Sequence, residues 1–166
     1  YKFEISAELI AAGLRPETTG QFSAYSGNLL ADEGKHLIGY GSVDAAGNYE
    51  LLKTTTFYID ATPPVSEISI GTITVPAGGS VYITEADSVT ISAVDPEVNL
   101  ASSGVKAVYR LVDVAPEECE SANPPAACAA AEYAGPFSLQ AGSHTVYYGA
   151  VDNVGNMAAG KSINVV

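Results

Sequence analysis

The stretch Gly34-Lys35-His36-Leu37-Ile38-Gly39-Tyr40-Gly41-Ser42-Val43-Asp44-Ala45-Ala46-Gly47-Asn48 recurs further along the chain. Its second appearance is Gly142-Ser143-His144-Thr145-Val146-Tyr147-Tyr148-Gly149-Ala150-Val151-Asp152-Asn153-Val154-Gly155-Asn156, and eight of the fifteen positions are identical. The offset is 108 residues. Without a gap it also aligns Tyr1 with Tyr109, Tyr25 with Tyr133, Gly27 with Gly135 and Lys53 with Lys161, giving 14 identities over 58 positions. Chance agreement would not hold a single register from Tyr1 to Lys53. The period is too long for a solenoid repeat and suits a β-sandwich domain.

Composition agrees with that class. The chain has 166 residues, enough for one large domain or two small ones, and only 16% are charged. Val, Ile, Thr, Tyr, Ser, Gly and Pro dominate, a vocabulary of strands and turns. The formal charge is −12, from 19 acidic and 7 basic residues, with no basic cluster, which argues against binding to a phosphate backbone. Apolar runs are short and broken by Gly or Pro, so no membrane-spanning helix is expected.

The later copy reads as seven strands: Val65–Val75, Ser80–Thr84, Ser88–Val94, Gly104–Val112, Tyr133–Leu139, Ser143–Val151 and Lys161–Val166. Gly78-Gly79, Asp95-Pro96 and Gly135-Pro136 punctuate them. Side chains alternate along a strand, so Val146, Tyr148 and Ala150 share a face, as do Ile38, Tyr40 and Ser42. That face is predicted to be the core face. The earlier copy supplies Tyr1–Leu9, Tyr25–Leu30, Lys35–Val43 and Leu51–Ile59, and nothing in residues 1–60 corresponds to Val65–Val94.

The strand ending Tyr-Gly-(Ser/Ala)-Val-Asp-x-x-Gly-Asn, followed by one closing on Ile59-Asp60-Ala61-Thr62-Pro63-Pro64, resembles bacterial immunoglobulin-like tandem repeats of hyalin type. The resemblance covers nearly the whole chain. It implies an all-β fold of immunoglobulin-like β-sandwich repeats and an extracellular architectural or adhesive role without an active site. The expected domains are 1–60, an incomplete repeat with closing strands only, and 61–166, a complete one.

That unequal strand count has consequences. A half sandwich would expose the apolar faces of Ile38, Tyr40 and Phe57 and leave strand edges unpaired. Exchange between identical chains cannot repair it, because each chain carries the same shortfall. A start at Tyr1 without a leader segment suggests processing or a longer parent. The expectation is a segment of a longer surface array, stalk or filament, or completion by strands of another polypeptide; two orphan halves packing as a dimer is the rival. Expected partners are neighbouring repeats or copies of the chain, with a host or polysaccharide ligand beyond them.

Asp44 with Gly47 and Asn48, and Asp152 with Gly155 and Asn156, are read first as turns. The carboxylate accepts backbone N–H groups and the glycine takes a positive φ. The functional reading is calcium, because carboxylate and amide oxygens are hard ligands. One carboxylate per turn is too few, so Asp60, Asp95, Glu97 or Asp113 would have to converge; a linker site around Asp60 is the best version. No cofactor is expected other than calcium at such a site.

His36 and His144 occupy the same place in the two copies, and neither has a nucleophile or carboxylate repeated beside it, so both read as structural. Cys119 and Cys128 lie in the insertion Asp113–Ala131, where the first copy has Ala11 and Gly20. Two thiolates do not complete a zinc site, so a disulfide is expected, and with it an oxidising compartment. So small a ring contributes about 2–3 kcal/mol through lost loop entropy. It serves the loop, not the fold; the runner-up for that loop is an exposed recognition element.

Ten tyrosines and no tryptophan bear on sugar binding. Core packing accounts first for Tyr1, Tyr40, Tyr109 and Tyr148, whereas Tyr147, Tyr82 and Tyr49 are less committed. The alternative function is an accessory carbohydrate-binding module of a secreted hydrolase. An enzyme is disfavoured, because no nucleophile–base or paired-carboxylate constellation repeats or clusters.

Overall fold

The computed structural model describes Tyr25, Gly27, residues 31–120, Cys128 and residues 131–166. The chain divides into two compact units. One runs to Asp60 and includes Glu97–Ala101; the other comprises Ala61–Pro96 and Ser102–Val166. The expected strand Tyr1–Leu9 lies outside the described residues, as does Tyr25–Leu30 apart from Tyr25 and Gly27.

In the first unit β1 (Gly34–Tyr40) pairs antiparallel with β2 (Lys53–Ile59). Glu97–Ala101 joins this unit through a turn that no motif foreshadows. Asn99 and Leu100 take positive φ between the bridged residues Val98 and Ala101. Asn99 O then accepts the Lys35 N–H at 3.0 Å, and Asn99 Nδ2 donates to Glu33 O at 3.2 Å. Gly34 permits the approach, since a Cβ there would sit 2.8 Å from Asn99 Cβ.

The second unit is a two-sheet sandwich. Its strands are β3 (Val65–Ile70), β4 (Ile73–Val75), β5 (Ser80–Val81), β6 (Val89–Val94), β7 (Val105–Val112), β8 (His144–Asp152) and β9 (Lys161–Val165). A single helical turn, α1 (Pro116–Cys119), follows β7. One sheet has the order β4-β3-β6 and the other β5-β9-β8-β7, antiparallel except for β5 beside β9. Ile68, Ile70, Val75, Val89 and Ile91 from the first sheet meet Val146, Tyr148, Ile163 and Val165 from the second, with Leu139 completing the buried core. The period-two reading of β8 therefore holds: Val146, Tyr148 and Ala150 are all buried.

Two expected strands differ. Val65–Val75 is a hairpin, because Gly71 takes a positive φ and folds Ile73 back onto Ile70. Tyr133–Leu139 forms isolated bridges instead of a ladder. Tyr133 N donates to Val108 O, while Phe137 exchanges two bonds with Val89, so the segment passes from one sheet to the other. Pro136 has no N–H to continue either ladder.

The duplication is visible in register. His36 faces Phe57 and Tyr40 faces Lys53; at the same offset His144 faces Val165 and Tyr148 faces Lys161. Burial is where the copies part. Tyr148 is 4% exposed and Tyr40 is 50% exposed, while Ser42 is exposed and Ile38 and Phe57 are half-buried. The expectation of a buried face on β1 is thus corrected: among the described residues no strands cover that face as β3 and β6 cover β8. The paired lysines report the same difference. Lys161 Nζ reaches the opposite sheet and donates to Ser66 O at 2.7 Å, whereas Lys53 turns back to Glu50.

Candidate functional site

The Asp–Asn turns are built from their own residues. Asp44 Oδ1 accepts the N–H groups of Ala46 and Asn48 at 2.9 Å each, and Asp44 Oδ2 accepts Asn48 Nδ2 at 2.7 Å. Asp152 Oδ1 accepts the N–H groups of Val154, Gly155 and Asn156 at 3.0, 2.6 and 2.8 Å, and its Oδ2 accepts Asn156 Nδ2 at 2.7 Å. Gly47 and Gly155 have φ of 84° and 99°, so each copy needs glycine there. The side-chain amide of Asn48 leads the influences that hold the Asp44 carboxyl below its usual range. For Asp152 burial is the largest influence and pushes upward, but bonds from Asn156, Gly155 and Val154 outweigh it and the pKa is lowered. Asp152 is fully buried, and Asn153, where the first copy has Ala45, donates to Ser103 O and Gly104 O at the start of β7.

His36 and His144 repeat one contact, Nε2 to the carbonyl four residues earlier: Asp32 O at 2.7 Å and Gln140 O at 3.0 Å. Their other partners differ. His36 stacks on Phe57, whereas His144 Nδ1 meets Asp113 Oδ2 at 2.6 Å. The sequence reading missed this carboxylate because the first copy has Ile5 in its place. Asp113 also accepts the Thr145 N–H at 2.8 Å. With an acceptor at each ring nitrogen, His144 is suited to the imidazolium, and the Asp113 bond raises its pKa above the ordinary 6.5. At Asp113 burial acts first and upward, but the bonds from His144 and Thr145 prevail and lower its pKa.

These shifts fix a pH dependence. The raised His144 pKa contributes stability that is complete below 6.5 and disappears as pH rises through the folded value. The lowered pKa values of Asp44, Asp113 and Asp152 contribute stability above 3.8 that disappears as pH falls through their folded values. The melting temperature is therefore expected to peak between those limits. His144→Gln should flatten the alkaline limb and spare the acid one; an alkaline limb unchanged in the variant would refute the assignment.

Of the four candidate metal ligands, Asp44 has both oxygens engaged in its turn, and Asp60 closes the first unit. In the second unit Asp95 and Asp152 offer carboxylate oxygens within 4.8 Å of one another. Asp95 Oδ2 accepts Ser102 Oγ and the Gly104 N–H, while its Oδ1 is buried without a donor. Calcium takes six to eight oxygens, and these two side chains alone do not supply them.

Cys119 and Cys128 are joined, with Cα atoms 5.6 Å apart. Beside the bridge lies a trough of about 330 Å³ on the outer side of the β7–β8 sheet. Tyr109, Tyr147 and Gly149 line it, together with Pro116, the disulfide, Met157, Ala158 and Gly160. Tyr109 is 37% and Met157 66% exposed, so two tyrosine positions differ from expectation: Tyr109 is not a core residue, and Tyr147 is half-buried beside the trough. Tyr49 and Tyr82 are exposed.

No helix among the described residues is long and apolar enough to cross a membrane. Neither a family model, nor a curated protein, nor a solved structure matches the chain.

Proposed function

We propose that this protein is a non-enzymatic structural or adhesive module of immunoglobulin-like type, working outside the cell in an array of similar repeats. The observation that carries the reading is the repeated hairpin: two copies with one register and one Asp–Asn turn. Their polar chemistry is directed to holding strands. Asp44, Asp152, Asp113 and His144 all bond backbone or neighbouring side chains within their own unit. The two-sheet build of the second unit, with β5 parallel to β9 at one edge, supports the immunoglobulin-like class. The disulfide supports an oxidising, extracellular setting. The exposed Tyr40 face supports a neighbouring repeat or a second polypeptide as its cover.

Electron microscopy of the native material tests this directly. Beaded strings or filaments would bear it out; isolated compact particles of 17.0 kDa by intact mass would overturn it. Calcium belongs to the reading as its extension: EDTA is expected to lower the melting temperature by several degrees, and an unchanged transition removes calcium from it.

A further inference from the structure

The trough beside the disulfide is not required by the repeated fold. At the offset of 108 Gly142, His144, Tyr148, Gly149 and Asp152 are kept, whereas part of the trough's lining changes. Tyr147 replaces Gly39, Ala158 replaces Glu50, Gly160 replaces Leu52, and the disulfide replaces Ala11 and Gly20. A strand interior ordinarily prefers a side chain to glycine, yet a Cβ on Gly149 would meet nothing within 4 Å. The first copy has glycine at the same place, Gly41, so what sets the trough apart is Tyr147, Ala158, Gly160 and the disulfide around that open space.

We propose that this trough binds a basic, apolar peptide segment of a partner protein: an arginine or lysine side chain flanked by apolar residues. The inference goes beyond the array reading and does not depend on it. Its lining among the described residues contains no Asp, Glu, Asn, Gln, Ser or Thr, and its polar side-chain groups are limited to tyrosine hydroxyls and Arg110, a sparse set for a sugar's many hydroxyl groups. Tyrosine faces, a thioether and small apolar groups instead suit an alkyl stem, and the rings attract a cation. The flanking surface is acidic. Glu117 and Glu118 stand on the same helical turn as Pro116 and Cys119, Glu120 follows, and Glu132 adjoins the lining residue Ala131; all four are exposed. Arg110, the one charged residue of the lining among the described residues, has its guanidinium over the Phe137 ring at 4.2 Å, and Phe137 is not among the lining residues described. The chain's net charge of −12 draws a cationic segment in the same direction.

The sequence supplies a reporter, because Met157 is its single methionine. In the full chain labelled with [methyl-13C]methionine, one methyl resonance reads the trough. Titration with acetyl-Leu-Arg-Leu-Arg-Leu-amide should shift it saturably; acetyl-Leu-Glu-Leu-Glu-Leu-amide and cellobiose should not. The combined Glu117→Gln, Glu120→Gln and Glu132→Gln variant should weaken binding by about tenfold at low salt. Gly149→Val should abolish the shift with the melting temperature retained. Tyr147→Gly, which restores the first copy's residue, provides a second arm should that variant unfold. No shift with the arginine peptide, an equal shift with the glutamate peptide, or binding that survives both trough variants overturns the proposal. A shift with cellobiose alone assigns the trough to a sugar, and peptide-free, concentration-dependent broadening assigns it to a second copy; each likewise overturns it.

Discussion

Tyr148→Ala is expected to destabilise the second unit by about 3–5 kcal/mol, the usual loss for deleting a buried aromatic side chain. For a unit of this size that lowers the melting temperature by roughly 15 °C or more. Tyr40→Ala, the same substitution at the same place in the first copy, should change stability by no more than about 0.5 kcal/mol. The two tyrosines share a register but not an environment: Tyr148 lies among Ile68, Ile91 and Ile163 in the core, and Tyr40 is half exposed. Thermal unfolding followed by circular dichroism measures both. Equal losses would mean that the first copy's face is covered in solution, and assembly between chains would then be the first thing to examine.

Asp152→Ala should have the second-largest effect, and it can be separated from a packing loss. The substitution leaves three backbone N–H groups and the Asn156 amide without their acceptor at a fully buried position. The donors lie in a part-buried turn around a buried carboxylate, so water replaces the lost acceptor only in part and the melting temperature should drop on the order of 10 °C. Asp44→Ala removes the equivalent acceptor from an exposed turn, where water replaces it, and a drop of only about 2–3 °C is expected. Asp152→Asn should fall between them, since the amide retains one acceptor but sets its NH2 against that of Asn156. Hydrogen exchange at Val154, Gly155 and Asn156 should accelerate in Asp152→Ala; a turn still protected there would contradict the account.

The sequence made the local chemistry legible and left the long-range chemistry out of reach. An Asp–Asn turn closes within five residues, so its spacing alone specifies its hydrogen bonds, and alternation alone put Val146, Tyr148 and Ala150 inside. The exposure of Tyr40 depends on which strands lie opposite, a tertiary matter, although the missing counterpart of Val65–Val94 pointed to it. The partnership of Asp113 with His144 spans 31 residues and exists in one copy only. Periodicity could not reveal it. The joining of Glu97–Ala101 to the first unit rests on positive φ at Asn99 and Leu100, and leucine gives no warning of that conformation. The trough was foreshadowed only by the alternative reading of the cysteine insertion as a recognition element. Its residues converge from β7, β8 and two connections, so no single segment announces it.

The shared ladder of the two hairpins also bears on how the chain reaches its native state. β1 offers β9 nearly the hydrogen-bonding edge that β8 does, so a refolding molecule can pair the wrong copies. Only side-chain shape discriminates between them, with Val146, Tyr148 and Ala150 on one strand against Ile38, Tyr40 and Ser42 on the other. Similar neighbours in one polypeptide are prone to such cross-pairing, a known failure of multidomain and repeat proteins. Divergence between the copies, eight identities in fifteen and not more, then acts as a safeguard of assembly fidelity.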